Sequence, residues 1–144
     1  PSNVLVADGG CAKLVDFGLV KVLGGSSGNT TAAGHVVGTW RYMAPEQAKG
    51  TDVDGRADLY ALGSLLYEQL TGEPPFVHKQ PAALLNALVS ESPVPVLARN
   101  PGADPALAAI AMRLLQKDPA ARFQRAEDVA EAIGGQPGVS SIAS

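Results

Sequence analysis

Residues 38–46 read GTWRYMAPE, and residues 16–18 read DFG. Between these two stretches, residues 23–33 read LGGSSGNTTAA and show no apolar periodicity. Glycine and small hydroxyl residues at this density predict a solvent-exposed loop, because they favour turns over a regular helix or strand. The segment is therefore a candidate site for regulatory modification.

Two short apolar runs, residues 4–6 and 12–15, flank the turn-forming sequence DGG at residues 8–10. This pattern predicts a β-hairpin. Asn3 directly precedes the first run and Asp16 directly follows the second, so antiparallel pairing brings both residues to the same end of the hairpin. Carboxylate and amide oxygens suit Mg²⁺, which indicates a metal site, although each residue alone also suits a plain turn or strand cap.

The rest of the chain predicts helices, at residues 58–70, 81–89, 105–116 and 126–133. The first of them is apolar on almost every side, which is typical of a buried helix. Asp104 is expected to cap the third helix, with Pro105 at its first position. The small polar residues 134–144 predict a flexible tail or linker. Two strands alone do not form a stable sheet, so either the helices cover the hairpin or the fold has a further part.

Composition excludes several classes of protein. The 144 residues carry 11 basic and 14 acidic side chains, a net charge of −3, so we expect no nucleic-acid partner. The single cysteine, Cys11, excludes an internal disulfide and a cysteine-rich zinc site, which favours a cytoplasmic location. Because no apolar run reaches the length of a membrane helix, any membrane attachment is expected only through a tether outside this chain.

The chain resembles the eukaryotic-type (Hanks-type) serine/threonine protein kinases. The resemblance rests on DFG, then a loop rich in hydroxyl residues, and then APE, in this order and at this spacing. Residues 1–3 (PSN) look like the end of the kinase catalytic loop, and Asp58 with Gly63 matches the D-x-x-x-x-G pattern of the family's central helix. Residues 117–123 (KDPAARF) match the family's late K/R-D-P-x-x-R segment. The resemblance covers residues 1–133, and the alanine-rich later helices look like those of bacterial members.

The resemblance implies ATP and Mg²⁺ as cofactors and assigns roles to five residues. Asp16 would chelate the ion that bridges the β- and γ-phosphates, and Asn3 would hold a second ion. Leu5 and Val15 would line the adenine pocket, although plain strand core explains these two equally well. Thr39 corresponds to the threonine that hydrogen-bonds the catalytic aspartate, which favours Ser/Thr over Tyr as acceptor.

Two further implications concern the loop between DFG and APE. Glu46 and Arg122 would form a buried ion pair that fixes the end of this activation segment to the helical lobe. Thr30 and Thr31 are candidate phosphorylation sites, with plain loop residues as the equal alternative.

The family's glycine-rich loop, its N-lobe lysine and its catalytic aspartate have no counterpart in the 144 residues. The expected fold is therefore a protein-kinase-like α+β C-lobe, mainly α-helical with a small β-hairpin and without the N-lobe. The parent enzyme would transfer the ATP γ-phosphoryl to protein Ser/Thr hydroxyls, whereas the chain alone is expected to be inactive. The alternative is a non-catalytic kinase-like lobe that binds other proteins. A small-molecule kinase of related fold is disfavoured by APE, which supports a peptide substrate.

Overall fold

The computed structural model describes residues 4–6, 12–14 and 40–135. The chain divides into two units, Pro1–Thr30 and Thr31–Ser144. In the first unit, strand β1 (Val4–Val6) pairs antiparallel with β2 (Ala12–Leu14), and Val4 lies opposite Leu14. The predicted hairpin is therefore confirmed.

The second unit is built from helices. They are α1 (Pro45–Lys49), α2 (Arg56–Thr71), α3 (Pro81–Ser90), α4 (Val96–Arg99), α5 (Pro105–Leu114) and α6 (Ala126–Gly134), with a 3₁₀ turn at Pro119–Ala121. The four predicted helices correspond to α2, α3, α5 and α6, and the mainly helical fold class is confirmed. α5 stops two residues before the predicted end. α1, α4 and the 3₁₀ turn were not predicted, because three to five residues are too few to show a helical period.

Helix α2 is the central element, as its apolar sequence predicts. It buries residues on several sides, including Tyr60 and Tyr67, which are 1% and 0% exposed. Gly63 allows α5 to approach closely, because a Cβ built at this glycine would lie only 2.5 Å from the Cβ of Leu114. The helix ends at Gly72, whose φ of +79° is a left-handed conformation that favours glycine.

Two apolar clusters form the core. The larger joins α2, α3 and α5 and includes Tyr60, Phe76 and Leu88. The smaller lies on another face of α5, where Leu114 and Phe123 meet Val129 of α6. Asp104 caps α5 as predicted, since its Oδ1 accepts hydrogen bonds from the next helical amides at 2.9 and 2.8 Å. No helix of the described residues is long and apolar enough to cross a membrane.

Candidate functional site

The residues predicted to bind metal and nucleotide lie mostly outside the described part of the chain. This applies to Asn3, Val15, Asp16 and Thr39, and also to the candidate phosphorylation sites in residues 23–33. Leu5 lies in β1, where its backbone pairs opposite Lys13. The roles of these residues remain predictions. Among the described residues, no group of three or more His, Cys, Asp or Glu side chains could hold a metal ion.

The predicted ion pair between Glu46 and Arg122 is present. Glu46 lies in the first turn of α1, directly after the Pro45 that starts this helix, and Arg122 follows the 3₁₀ turn. The two guanidinium nitrogens Nη1 and Nη2 donate to the two carboxylate oxygens at 2.7 and 2.8 Å. The Arg122 side chain is 0% exposed and that of Glu46 is 8% exposed. We call this contact the anchor pair.

The remaining donors of Arg122 are also satisfied. Its Nε donates to the carbonyl of Gln116 at 2.7 Å, Nη1 to the carbonyl of Arg56 at 2.9 Å, and Nη2 to that of Lys117 at 3.1 Å. The guanidinium carbon also lies 5.0 Å from the centre of the Tyr60 ring. A planar fork with five donors suits this arrangement, whereas a lysine ammonium could not reach all of these acceptors.

The buried guanidinium sets the charge state of Glu46. Burial is the largest single effect and raises the pKa of this carboxyl, but the hydrogen bonds from Arg122, a backbone hydrogen bond and the charge of Arg122 together lower it more, so the pKa is lowered overall. Glu46 is therefore ionised at neutral pH. A bidentate charge-assisted contact of this kind fixes both position and orientation, so α1 is held rigidly against the segment that carries Arg122.

A second contact holds the segment just after Thr39. The hydroxyl of Tyr42 donates to Oε2 of Glu68 on α2 at 2.8 Å. Burial and the neighbouring carboxylate raise the pKa of Tyr42 to about 12, so the hydroxyl stays protonated. Trp40 and Met43 pack against the larger apolar cluster. Sequence reasoning missed the Tyr42 contact, because no local pattern pairs residues 26 positions apart.

A groove of about 450 Å³ opens beside this segment. Arg41 and Val94 line it together with the loop after α2, which includes Phe76. Arg99 and Glu73, also in its wall, form an ion pair with a separation of 2.8 Å. The groove has the size for peptide side chains, and its mixture of apolar and charged groups does not select one ligand class.

The two residues of the D-x-x-x-x-G motif, Asp58 and Gly63, both lie in α2. Asp58 is exposed in the first turn of α2, and Gly63 is buried where α2 meets α5. Gly63 therefore has a packing role, which the sequence pattern alone did not reveal.

A helical lobe in which APE is fixed by a buried glutamate–arginine pair is typical of protein kinases. The protein kinase domain model matches residues 1–132, and the chain belongs to this family. Serine/threonine-protein kinase PknB of Mycolicibacterium smegmatis is 40% identical over 129 residues, which cover 90% of this chain and 21% of that protein. A probable serine/threonine-protein kinase of Streptomyces coelicolor is 41% identical over 141 residues, covering 95% of this chain and 21% of that protein. The chain thus spans about a fifth of the length of the curated relatives it matches, and its resemblance to bacterial serine/threonine kinases is confirmed.

Proposed function

We propose that this chain forms the helical lobe of a serine/threonine protein kinase, which transfers the γ-phosphoryl group of ATP to serine and threonine hydroxyls of other proteins. The anchor pair carries the proposal. It joins residues 76 positions apart and fixes the end of the segment that runs from DFG to APE. A buried ion pair costs desolvation energy, so its presence fits a lobe that must hold this segment in one position.

In this proposal, Asp16 and Asn3 would hold the Mg²⁺ that accompanies ATP. The register of the hairpin supports their assignment, because Val4, which follows Asn3 in the sequence, pairs with Leu14, which precedes Asp16 by two residues. Both side chains offer the oxygen ligands that Mg²⁺ prefers. The bound ions would neutralise charge on the transferring phosphoryl group. Leu5 and Val15 would contact the adenine ring.

Thr39 would orient the groups that meet the substrate hydroxyl. The residues after it are fixed to α2 by the Tyr42–Glu68 hydrogen bond, which supports a defined position for this segment. We place the lobe in the cytoplasm, where ATP and protein substrates are present, with any membrane tether elsewhere in the protein. The net charge of −3 gives no support to a nucleic-acid partner.

The test uses the complete product of the gene, with radiolabelled Mg·ATP and a mixed library of serine- and threonine-containing peptides. We expect phosphoryl transfer that falls by a factor of about 100 or more in Asp16→Asn, because the metal ligand is lost. Asp52→Asn, a substitution of an exposed aspartate between α1 and α2, is the matched control and should keep full activity.

Retained activity in Asp16→Asn would refute the metal assignment. If the wild-type protein transfers no phosphoryl group but binds protein partners, the non-catalytic alternative is correct.

A further inference from the structure

The groove beside residues 40–43 has walls that are held in place by contacts within the helical lobe. The hydroxyl of Tyr67, a residue that is 0% exposed, donates to the carbonyl of Val94 in the wall at 2.8 Å. Pro74 and Pro75 are buried in the same wall, and their rings fix the backbone of the loop after α2. Because these walls are fixed in advance, a ligand that enters the groove orders little of the protein.

Two apolar side chains of the groove face solvent. Val77 is 57% exposed and Val94 is 45% exposed, and both line the groove. A single exposed valine is ordinary on a protein surface, whereas these two share one concave site. An apolar side chain of a ligand that covers them would remove apolar surface from water, which is favourable. The groove therefore offers a place for an apolar side chain.

Most charged side chains of the groove already face a partner within the chain. Glu73 and Arg99 form an ion pair with a separation of 2.8 Å. Glu91 lies 3.9 Å from Nε2 of His78, and its charge also favours the protonated amine of Lys117. The mixture of residue types alone selects no ligand class, so the selection depends on which charge of the groove is left without a partner.

Arg41 carries that charge. Its side chain is exposed, and no carboxylate of the described residues lies within ion-pair distance of its guanidinium. Trp40 and Met43 pack against the larger apolar cluster, and Tyr42 is bonded to Glu68, so the backbone that carries Arg41 is fixed. A fixed guanidinium without a counter-charge, beside exposed apolar side chains, is complementary to a carboxylate with an apolar neighbour.

We propose that Arg41 determines substrate specificity by binding an acidic side chain near the acceptor hydroxyl of the protein substrate, while an apolar neighbour of that side chain packs on Val77 and Val94. This inference rests on the proposed function, which places Thr39 beside the acceptor. Thr39 precedes Arg41 by two residues, so their Cα atoms are at most about 7 Å apart. An extended peptide advances about 3.3 Å per residue, and we therefore expect the acidic side chain within about five positions of the acceptor.

The first experiment is a positional scan with the complete product of the gene and radiolabelled Mg·ATP. Each peptide has one central serine in a background of glycine, alanine and valine. Glutamate, glutamine or lysine is then placed in turn at each of the five positions on either side of the serine. At one position or at two adjacent ones, we expect kcat/KM to be about three- to fivefold higher for glutamate than for glutamine, which is the effect of one exposed ion pair, and lowest for lysine.

Charge reversal assigns this preference to one residue. In Arg41→Glu, the same peptide position should favour lysine over glutamine and disfavour glutamate. Arg125→Glu is the matched control, because it makes the same change of charge at a side chain that is 69% exposed and lies outside the groove, and it should keep the wild-type preference. If glutamine peptides are phosphorylated but no position favours glutamate, or if Arg41→Glu keeps the preference, the inference is wrong and the proposed function stands.

The second experiment measures peptide binding without phosphoryl transfer. Two fluorescein-labelled peptide pools carry valine and either glutamate or lysine around the serine, and fluorescence anisotropy gives their Kd values for the complete gene product. We expect the glutamate pool to bind at least about threefold more tightly than the lysine pool in the wild type and in Arg125→Glu, but not in Arg41→Glu. This result in the absence of any phosphoryl transfer would refute the proposed function and support the groove assignment. Equal binding of both pools by the wild type would overturn the inference.

Discussion

Removal of one partner of the anchor pair should strongly destabilise the helical lobe. Glu46→Ala leaves the guanidinium of Arg122, which is 0% exposed, without its counter-charge. Breaking a buried pair in this way costs about 3–5 kcal/mol. Three backbone carbonyls still accept hydrogen bonds from Arg122, so we expect a loss near the lower limit, about 3 kcal/mol, in the free energy of unfolding. Arg122→Ala also removes one donor from each of those carbonyls and should cost about 4–5 kcal/mol.

Urea and thermal unfolding of the full chain provide the assay. At this chain length, a loss of 3 kcal/mol corresponds to a decrease in Tm of about 10 °C. The exposed pair Arg99–Glu73 is the matched control, since its separation of 2.8 Å is similar but its side chains are 27% and 68% exposed. Glu73→Ala should therefore cost less than about 1 kcal/mol.

The pH dependence of the anchor pair has a defined sign. Because the pKa of Glu46 is lower in the folded state than in the unfolded state, its contribution is complete above the unfolded value of 4.5. The contribution is lost as the pH falls through the folded value. Glu46→Gln should flatten this part of the stability profile. If Glu46→Ala and Arg122→Ala were each as mild as Glu73→Ala, the anchor would not fix the lobe.

Three further substitutions test other contacts. Gly63→Ala should destabilise the lobe by about 1–3 kcal/mol in urea unfolding, because its methyl group would lie 2.5 Å from a side chain of α5. Gly55→Ala is the control: its methyl group would enter open space, so this substitution should be neutral or slightly stabilising. Tyr42→Phe should cost about 1–2 kcal/mol through loss of the hydrogen bond to Glu68, and no measurable loss would show that this bond is not formed in solution. Since the pKa of Lys117 is lower in the folded state than its ordinary value of 10.5, the folded state binds fewer protons from about pH 8 upwards and stability should rise with pH there. Lys117→Met should abolish that rise in stability between pH 8 and 9.5. An unchanged dependence of stability on pH in this variant would contradict a lowered pKa of Lys117.

The sequence predicted the features that depend on local patterns. The hairpin followed from turn residues between two apolar runs, and its register pairs Val4 with Leu14. Asp104 was identified as a helix cap because capping depends only on the residues that follow it. The anchor pair is a long-range contact, and it was predicted only because Glu46 and Arg122 each lie in a recognisable family motif.

Other long-range contacts carried no such signal. Nothing in the sequence pairs Tyr42 with Glu68, or directs the amine of Lys117 to the end of α3, since both depend on how the helices pack. Gly63 could be matched to a motif, but its reason, the close approach of Leu114, required the structure.

The most direct test of the proposed function is phosphoamino-acid analysis after reaction of the complete gene product with radiolabelled Mg·ATP and a protein substrate. We expect label in phosphoserine and phosphothreonine, and a parallel loss of both in Asp16→Asn. Label confined to phosphotyrosine, or no label with a folded protein, would contradict the proposal.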